Sequence, residues 1–275
     1  MKRVPPFAKN PSMPSENPTP TLPDCAIHGF GYLGRPLALK LYEHGSRVVA
    51  LKRSLTSDDI NLPLRLDITD LNQAGVFQTA FWQEWADYPT WFWLLPPSAL
   101  KDYCGVLSQW LKLAESFQVQ HLIFTSSTSV YGDAPRFCDE TAPPDPQTDN
   151  AKMLLAAEKL LLESRIPHID ILRLGGLYCA ERHPVSRLSG RQNIKGGSRP
   201  VNVIRRDLAV EILFQTASNP QGRRLGNAVE PDHPGRAEFY TREAAKLGLA
   251  APGFDPADTS GGKVVGSIGA GGLSL

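Results

Sequence analysis

The sequence predicts an α/β fold, a doubly wound parallel sheet with a small C-terminal lobe, and three observations carry that expectation. Short, nearly continuous apolar runs alternate with helical patterns between Asp24 and Leu174, as in a parallel sheet covered on both faces. The first run ends in Gly29-Phe30-Gly31-Tyr32-Leu33-Gly34, directly before a helical pattern. Beyond Gly175 the alternation loosens into a polar stretch rich in Gly and Arg.

Residues 1–23 hold seven prolines among Ser, Asn and Thr. Proline has no amide donor and restricts the residue before it, so this segment is expected as a disordered tail. Cys25–His28 reads as the first strand. The helix that follows runs Arg35–His44, with Leu37, Ala38, Leu41 and Tyr42 on one stripe and Gly45 as its C-cap. Arg47–Leu51 is a buried strand, Leu64–Leu66 a third that ends at Asp67, and Ala74–Trp85 a helix. Trp91–Leu95 is a strand stopped by Pro96-Pro97. Asp102–Phe117 is a helix that turns Tyr103, Val106, Leu107, Trp110 and Leu113 inward. His121–Phe124, Ala151–Ser164 and Ile169–Leu174 continue as strand, helix and strand, and right-handed crossovers wind the sheet on both sides. The main domain is thus 24–178, with a returning helix near 207–217. Residues 179–260 form the small lobe, including a helix at about 236–247, and the Gly- and Ser-rich 261–275 a flexible tail. The five tryptophans, at 82, 85, 91, 93 and 110, fall on these elements and read as core or interface.

Composition excludes several classes. The 275 residues are 41% hydrophobic, enough for a substantial core, and 29 basic against 28 acidic side chains leave a net charge of +1. No global field for nucleic acid or anionic lipid exists. No apolar run approaches the roughly 18–20 residues of a membrane span, and Met1-Lys2-Arg3 is followed by no apolar segment of a secretory signal. Cysteines 25, 104, 138 and 179 lack C-x-x-C spacing, which argues against both a disulfide scaffold and zinc. The expected setting is the cytoplasm, with no bound metal.

Gly29-x-Gly31-x-x-Gly34 becomes a strong signal through its context, since it follows a strand, opens a helix and precedes a second strand. Gly29 serves the tight turn, Gly31 lets backbone approach a pyrophosphate, and Gly34 lets helix and strand pack closely, with Tyr32 and Leu33 between them. After Leu51 come Lys52, Arg53 and Ser54, with none of the carboxylate that bonds a ribose 2′-hydroxyl in an NAD site. Guanidinium and hydroxyl groups suit a 2′-phosphate, so NADP(H) is favoured over NAD(H). Asp67 and Ile68 are placed beside the adenine, Asp67 by carboxylate or backbone, and Asp70 alternatively caps the next helix. Leu95 and Pro96, closing the fourth strand, complete the predicted cofactor set.

The run Ser126-Ser127-Thr128-Ser129-Val130-Tyr131-Gly132 resembles the extended short-chain dehydrogenases/reductases, the NAD-dependent epimerase/dehydratase family. The glycine loop, Asp67-Ile68, Glu140 and Arg173-Leu174-x-Gly176-x-Tyr178 occur in family order over about 24–255. Within the family the chain is similar to a bacterial nucleoside-diphosphate-sugar epimerase-like branch that lacks the catalytic tyrosine. The resemblance implies a dinucleotide cofactor and a nucleotide-sugar or other small-molecule substrate. A homodimer is allowed. It also implies that Ser127 orients the substrate hydroxyl or carbonyl and that a Y-x-x-x-K tyrosine moves the proton.

That tyrosine is missing. Anchoring the motif on Lys152 puts Thr148 at its position; anchoring on Glu158 puts Asn150 there and Leu154 in place of lysine. An aliphatic hydroxyl is far too weak an acid to replace a phenol. Tyr131, Tyr178 and His183 are the candidates to substitute, each with a structural alternative, and Cys179 reads more readily as a structural thiol. Arg182, Arg187, Arg191, Lys195, Arg199, Arg205 and Arg206 suit a pyrophosphate or form a solvated band. Two readings stand. One is an NADP-dependent oxidoreductase or epimerase with a non-standard proton donor; the other is a non-catalytic NADP(H)-binding redox sensor or partner-binding protein. A nucleic-acid binder is discounted for want of charge and motif.

Overall fold

The computed structural model describes residues 2–4 and 22–267. Twelve strands are described: β1 (Lys2–Val4), β2 (Cys25–His28), β3 (Val48–Lys52), β4 (Arg65–Ile68), β5 (Thr90–Trp93), β6 (His121–Ser127), β7 (Phe137–Cys138), β8 (His168–Leu174), β9 (Gly176–Tyr178), β10 (Val203–Arg205), β11 (Arg223–Ala228) and β12 (Val264–Val265). Five α-helices accompany them: α1 (Gly34–Glu43), α2 (Tyr103–Ser116), α3 (Asp149–Glu163), α4 (Arg206–Ser218) and α5 (Arg236–Lys246). The central sheet has the order β1-β4-β3-β2-β5-β6-β8-β11. β1 is antiparallel to β4, and the other seven strands make a parallel sheet flanked by helices, the predicted fold class. Chain order therefore reverses direction on the two sides of β2, at the end of which the glycine loop stands.

Strands β2, β3, β4, β5, β6 and β8 form where the apolar runs predict them, because residues buried on both faces have no polar alternation to keep. All four residues of β2 and of β5 are buried. In α1, Leu37, Ala38 and Leu41 are fully enclosed, while Tyr42 turns outward, 44% exposed. Gly45, at φ +94°, ends the helix as expected.

The structure differs from the sequence reading at several places along the chain. The helix over 74–85 is two 3₁₀ turns, Val76–Gln78 and Ala80–Trp85, separated by extended Thr79. The Trp82 indole N–H donates to the Val76 carbonyl at 2.7 Å, taking the acceptor a continuous helix would have offered to the amide of Ala80. The polar segment β11 adds a strand that no apolar run announced. At the ends, Lys2–Val4 pairs with β4, and Val264–Val265 pairs with β7, where tails were expected. The rest of the N-terminal tail to residue 21, and residues 268–275, lie outside the described residues. The chain also divides into two compact units. Unit 1 is Met1–Thr125, Ala156–Ile171 and Val210–Arg224; unit 2 is Ser126–Leu155, Leu172–Ala209 and Leu225–Leu275.

The core of unit 1 collects all five tryptophans around one imidazole. His28 is fully buried, with the rings of Trp82, Trp85, Trp91, Trp93 and Trp110 centred 4.7–5.9 Å from its own. Trp110 Nε1 donates to His28 Nε2 at 3.0 Å, which leaves the proton on Nδ1, 3.2 Å from the Phe92 carbonyl. Burial lowers the His28 pKa to about 3, so the ring is neutral. Among the described residues no helix is long and apolar enough to cross a membrane.

Candidate functional site

In unit 1 the glycine loop joins β2 to α1. Gly29 has φ +112°, and a Cβ there would stand 3.1 Å from the Leu94 carbonyl carbon. A Cβ on Gly34 would lie 2.1 Å from the Gly29 carbonyl oxygen, so strand and helix meet only through glycine. Gly31 differs: nothing lies within 4 Å of the place its Cβ would take. The loop thus keeps open space at Gly31, where the sequence reading expects a pyrophosphate, and α1 opens there with no acidic residue in its first turn. Leu33 is buried beneath it, and Tyr32 is half-buried. The residues present fit a dinucleotide.

The end of β3 holds an arrangement the sequence reading missed. Asp59 folds back from the 3₁₀ turn Ser57–Asp59, and its fully buried carboxylate accepts from the Lys52 ammonium and from the Thr56 amide and hydroxyl, both at 2.8 Å. Arg35, the residue after Gly34, brings Nη1 to 3.5 Å from the other carboxylate oxygen. Burial alone would raise the Asp59 carboxyl; the Lys52 and Thr56 contacts outweigh it and hold it below the usual range. Arg53 and Ser54 are exposed. The signal was present as T-x-x-D at Thr56–Asp59, a capping-box pattern.

Asp67 is enclosed, its carboxylate bonded by Arg65 at 2.7 Å and by the Trp85 indole at 2.8 Å. Its side chain is therefore spent inside the core, and only its backbone is left for the adenine role. Asp70 caps no helix: its carboxylate makes a local turn with the amide of Asn72. Leu95 and Pro96 follow β5, and the buried Tyr103 hydroxyl braces that segment, donating to the Leu95 carbonyl at 3.1 Å while accepting from Trp93 Nε1 at 3.1 Å.

In unit 2, Ser127 ends β6 and its Oγ accepts from the Ser129 amide at 3.1 Å, capping the turn Thr128–Tyr131. Its hydroxyl proton is left for another acceptor. Tyr131 is fully buried, its hydroxyl donates to Asn227 Oδ1 at 2.9 Å, and the Arg173 guanidinium covers its ring at 4.8 Å. Burial pushes its pKa up. The phenol is enclosed and occupied, which matches the structural alternative given for it.

Thr148 caps α3, its hydroxyl accepting from the Ala151 amide at 3.2 Å. Lys152 lies on the outer face, its side chain 60% exposed and paired with Asp149 at 3.7 Å. The buried stripe of α3 runs through Ala151, Leu154, Ala157, Glu158 and Leu161. Leu154, the lysine position when the motif is anchored on Glu158, is thus on the inner face, opposite Lys152.

Tyr178 lies in β9, paired with β10. Its hydroxyl meets both carboxylate oxygens of Glu230 at 3.0 Å, and burial together with that carboxylate raises its pKa, which makes it a poor acid. His183 is a buried cap, Nδ1 accepting from the Val185 amide at 3.1 Å, with its pKa lowered by burial against the pull of Glu243 at 3.8 Å. In the basic band Lys195 pairs with Asp255, Arg205 with Glu230 and Arg206 with Asp207. Cys179 is half-buried. Among the described residues no cluster of three or more His, Cys, Asp or Glu side chains could hold a metal ion.

No family model matches the sequence. The chain is 30% identical over 249 residues to protein YeeZ of Escherichia coli (strain K12), covering 87% of this chain and 90% of that protein. Among solved structures it is similar to MoeE5 in complex with UDP-glucose and NAD, with a TM-score of 0.73, 22% identity and 89% of each chain covered. It is also similar to the UDP-N-acetylglucosamine 4-epimerase from Bacillus cereus, with a TM-score of 0.73, 14% identity and 90% of each chain covered. At these identities the likeness to solved structures shows the fold, that of the NAD-dependent epimerases and dehydratases.

Proposed function

This chain belongs to the family of Escherichia coli protein YeeZ, and from that premise we propose that it is an NADP(H)-binding protein acting as an oxidoreductase or epimerase of the short-chain dehydrogenase type. The substrate class is a nucleotide sugar or a similar small molecule. The observation that carries the reading is the open space at Gly31, kept between the end of β2 and the first turn of α1. Tyr32, Leu33 and Gly34 complete that cradle. Lys52, Arg53 and Ser54 supply donors for a 2′-phosphate, and Leu95 and Pro96 line the neighbouring segment after β5. MoeE5, of the same fold, is solved with UDP-glucose and NAD, which supports both ligand classes.

When bound, the nicotinamide would supply hydride exchange with a substrate carbon. Ser127, with its proton free to donate, would orient the substrate oxygen. Neither register restores a phenol on α3, where Thr148 is committed to a helix cap. Turnover is therefore expected to be slow, by about 10²–10⁴ relative to a complete acid/base pair. The second reading, a redox sensor that keeps the cofactor and has lost the chemistry, is not favoured by the structural neighbours. Free thiols at Cys25, Cys104, Cys138 and Cys179 favour the reducing cytoplasm.

Calorimetric titration tests the proposal. NADPH should bind about tenfold or more tightly than NADH, the worth of one charge-assisted contact. Gly31→Val should fold normally by circular dichroism, since nothing lies within 4 Å of its Cβ, and should abolish binding of both dinucleotides. A folded Gly31→Val protein that binds NADPH as the wild type does would refute the cradle. Tight NADPH binding without turnover of any nucleotide sugar would select the sensor reading.

A further inference from the structure

We infer that Arg35, set beside Lys52 by the buried carboxylate of Asp59, is the residue that discriminates a ribose 2′-phosphate from a 2′-hydroxyl in this chain. The inference rests on the dinucleotide reading above and adds a residue to it. Arg35 stands in the first turn of α1 immediately after Gly34, and Lys52 is the last residue of β3. In doubly wound sheets the adenosine ribose is read by groups near these two element ends, a carboxylate for NAD and an arginine for NADP.

Here the carboxylate exists but is withdrawn. Asp59 has no exposed side-chain surface, and its oxygens face Lys52, Thr56 and Arg35. It cannot reach a ribose hydroxyl. Instead it ties two cations from different elements to one point, and two positive charges against one negative leave the cluster at +1. Arg35 and Lys52 remain 35% and 22% exposed in their side chains. Arg35 spends Nη2 on the Asp58 carbonyl at 2.7 Å and holds Nη1 toward Asp59. A guanidinium has five donors, so several are left for phosphate oxygens. A neutral 2′-hydroxyl gains far less from such a cluster. Arg53, by contrast, is exposed, and its charge helps lower the Asp70 carboxyl.

The test uses the full chain and four ligands, NADPH, NADH, 2′,5′-ADP and 5′-ADP, titrated against wild type, Arg35→Ala, Arg35→Gln and Arg53→Ala. Arg35→Ala and Arg35→Gln should each weaken NADPH and 2′,5′-ADP by about tenfold or more and leave NADH and 5′-ADP within about twofold. Arg53→Ala should have the smaller effect. An equal loss for phosphorylated and unphosphorylated ligands in both Arg35 variants would overturn the inference, as would an unchanged ratio. So would a preference removed by Arg53→Ala and kept by Arg35→Ala, with the NADP reading intact. A wild type that binds 2′,5′-ADP through Arg35 but takes neither dinucleotide would instead sink the cofactor reading and uphold the 2′-phosphate site.

Discussion

Tyr131 has the residue type that the chemistry needs and surroundings that forbid it. Its hydroxyl is inside the protein with Asn227 as acceptor, and Arg173 lies on its ring. Tyr131→Phe should therefore cost stability, about 1–3 kcal/mol for leaving the Asn227 oxygen enclosed without its donor, and leave NADPH affinity unchanged. Chemical denaturation and calorimetry on the same preparation check both halves; a loss of affinity with unchanged stability would return Tyr131 to the ligand site. At this scale the sequence was legible where a residue's role lies in its own backbone, as at Gly29, Gly31 and Gly34. It was illegible where the role depends on a partner brought from elsewhere. Lys52 is plain in the sequence as a cation, but its tether to Asp59 follows from the turn at Thr56–Asp59, and the approach of Arg35 follows from the docking of α1 beside β3.

Elements were legible when their apolar pattern had one cause. β2, β3 and β5 are buried on both faces, and continuous apolar runs announced them. Between Val76 and Trp85 the spacing of large apolar residues mimics a helix, yet it arises from tryptophans reaching around His28, with an indole taking a backbone acceptor. β11 carries arginines and an asparagine instead of an apolar run, so its pairing had no signature. In α3 the two alignments use different faces of the helix. Lys152 faces out beside Asp149, whereas Asn150 and Leu154 occupy the register whose later members, Leu154 and Glu158, face in. Thr148→Tyr is thus expected to lose the helix cap, about 1 kcal/mol, without raising turnover. Asn150→Tyr combined with Leu154→Lys is the variant expected to raise it, read as NADPH oxidation or sugar epimerisation at saturating cofactor. A gain from Thr148→Tyr alone would reverse the assignment of the inner face.

For the whole molecule, the doubly wound class followed from the alternation and the glycine loop, while the division into units did not, because α3, β6, β8, α4 and β11 each pass from one unit to the other. What the sequence also hid is the consequence of placing five tryptophans around a histidine. In the folded chain His28 titrates near pH 3, and in the unfolded chain near the ordinary value of about 6.5. Between those limits the unfolded chain binds a proton that the folded one refuses, so folding is favoured more as pH rises. The contribution is complete above about pH 6.5 and is lost progressively as pH falls from there toward 3, by at most about 1.4 kcal/mol per pH unit. Carboxylates add their own pH dependence, so the measurement must be a difference. Urea unfolding of wild type and His28→Phe at pH 7 and pH 5 supplies it, since the other titrating groups are common to both proteins. Whatever the variant costs at pH 7, wild type should lose about 2 kcal/mol more than His28→Phe on going to pH 5. Equal losses would mean that the imidazole takes up its proton while still enclosed, and the neutral, tryptophan-bonded His28 would have to be abandoned.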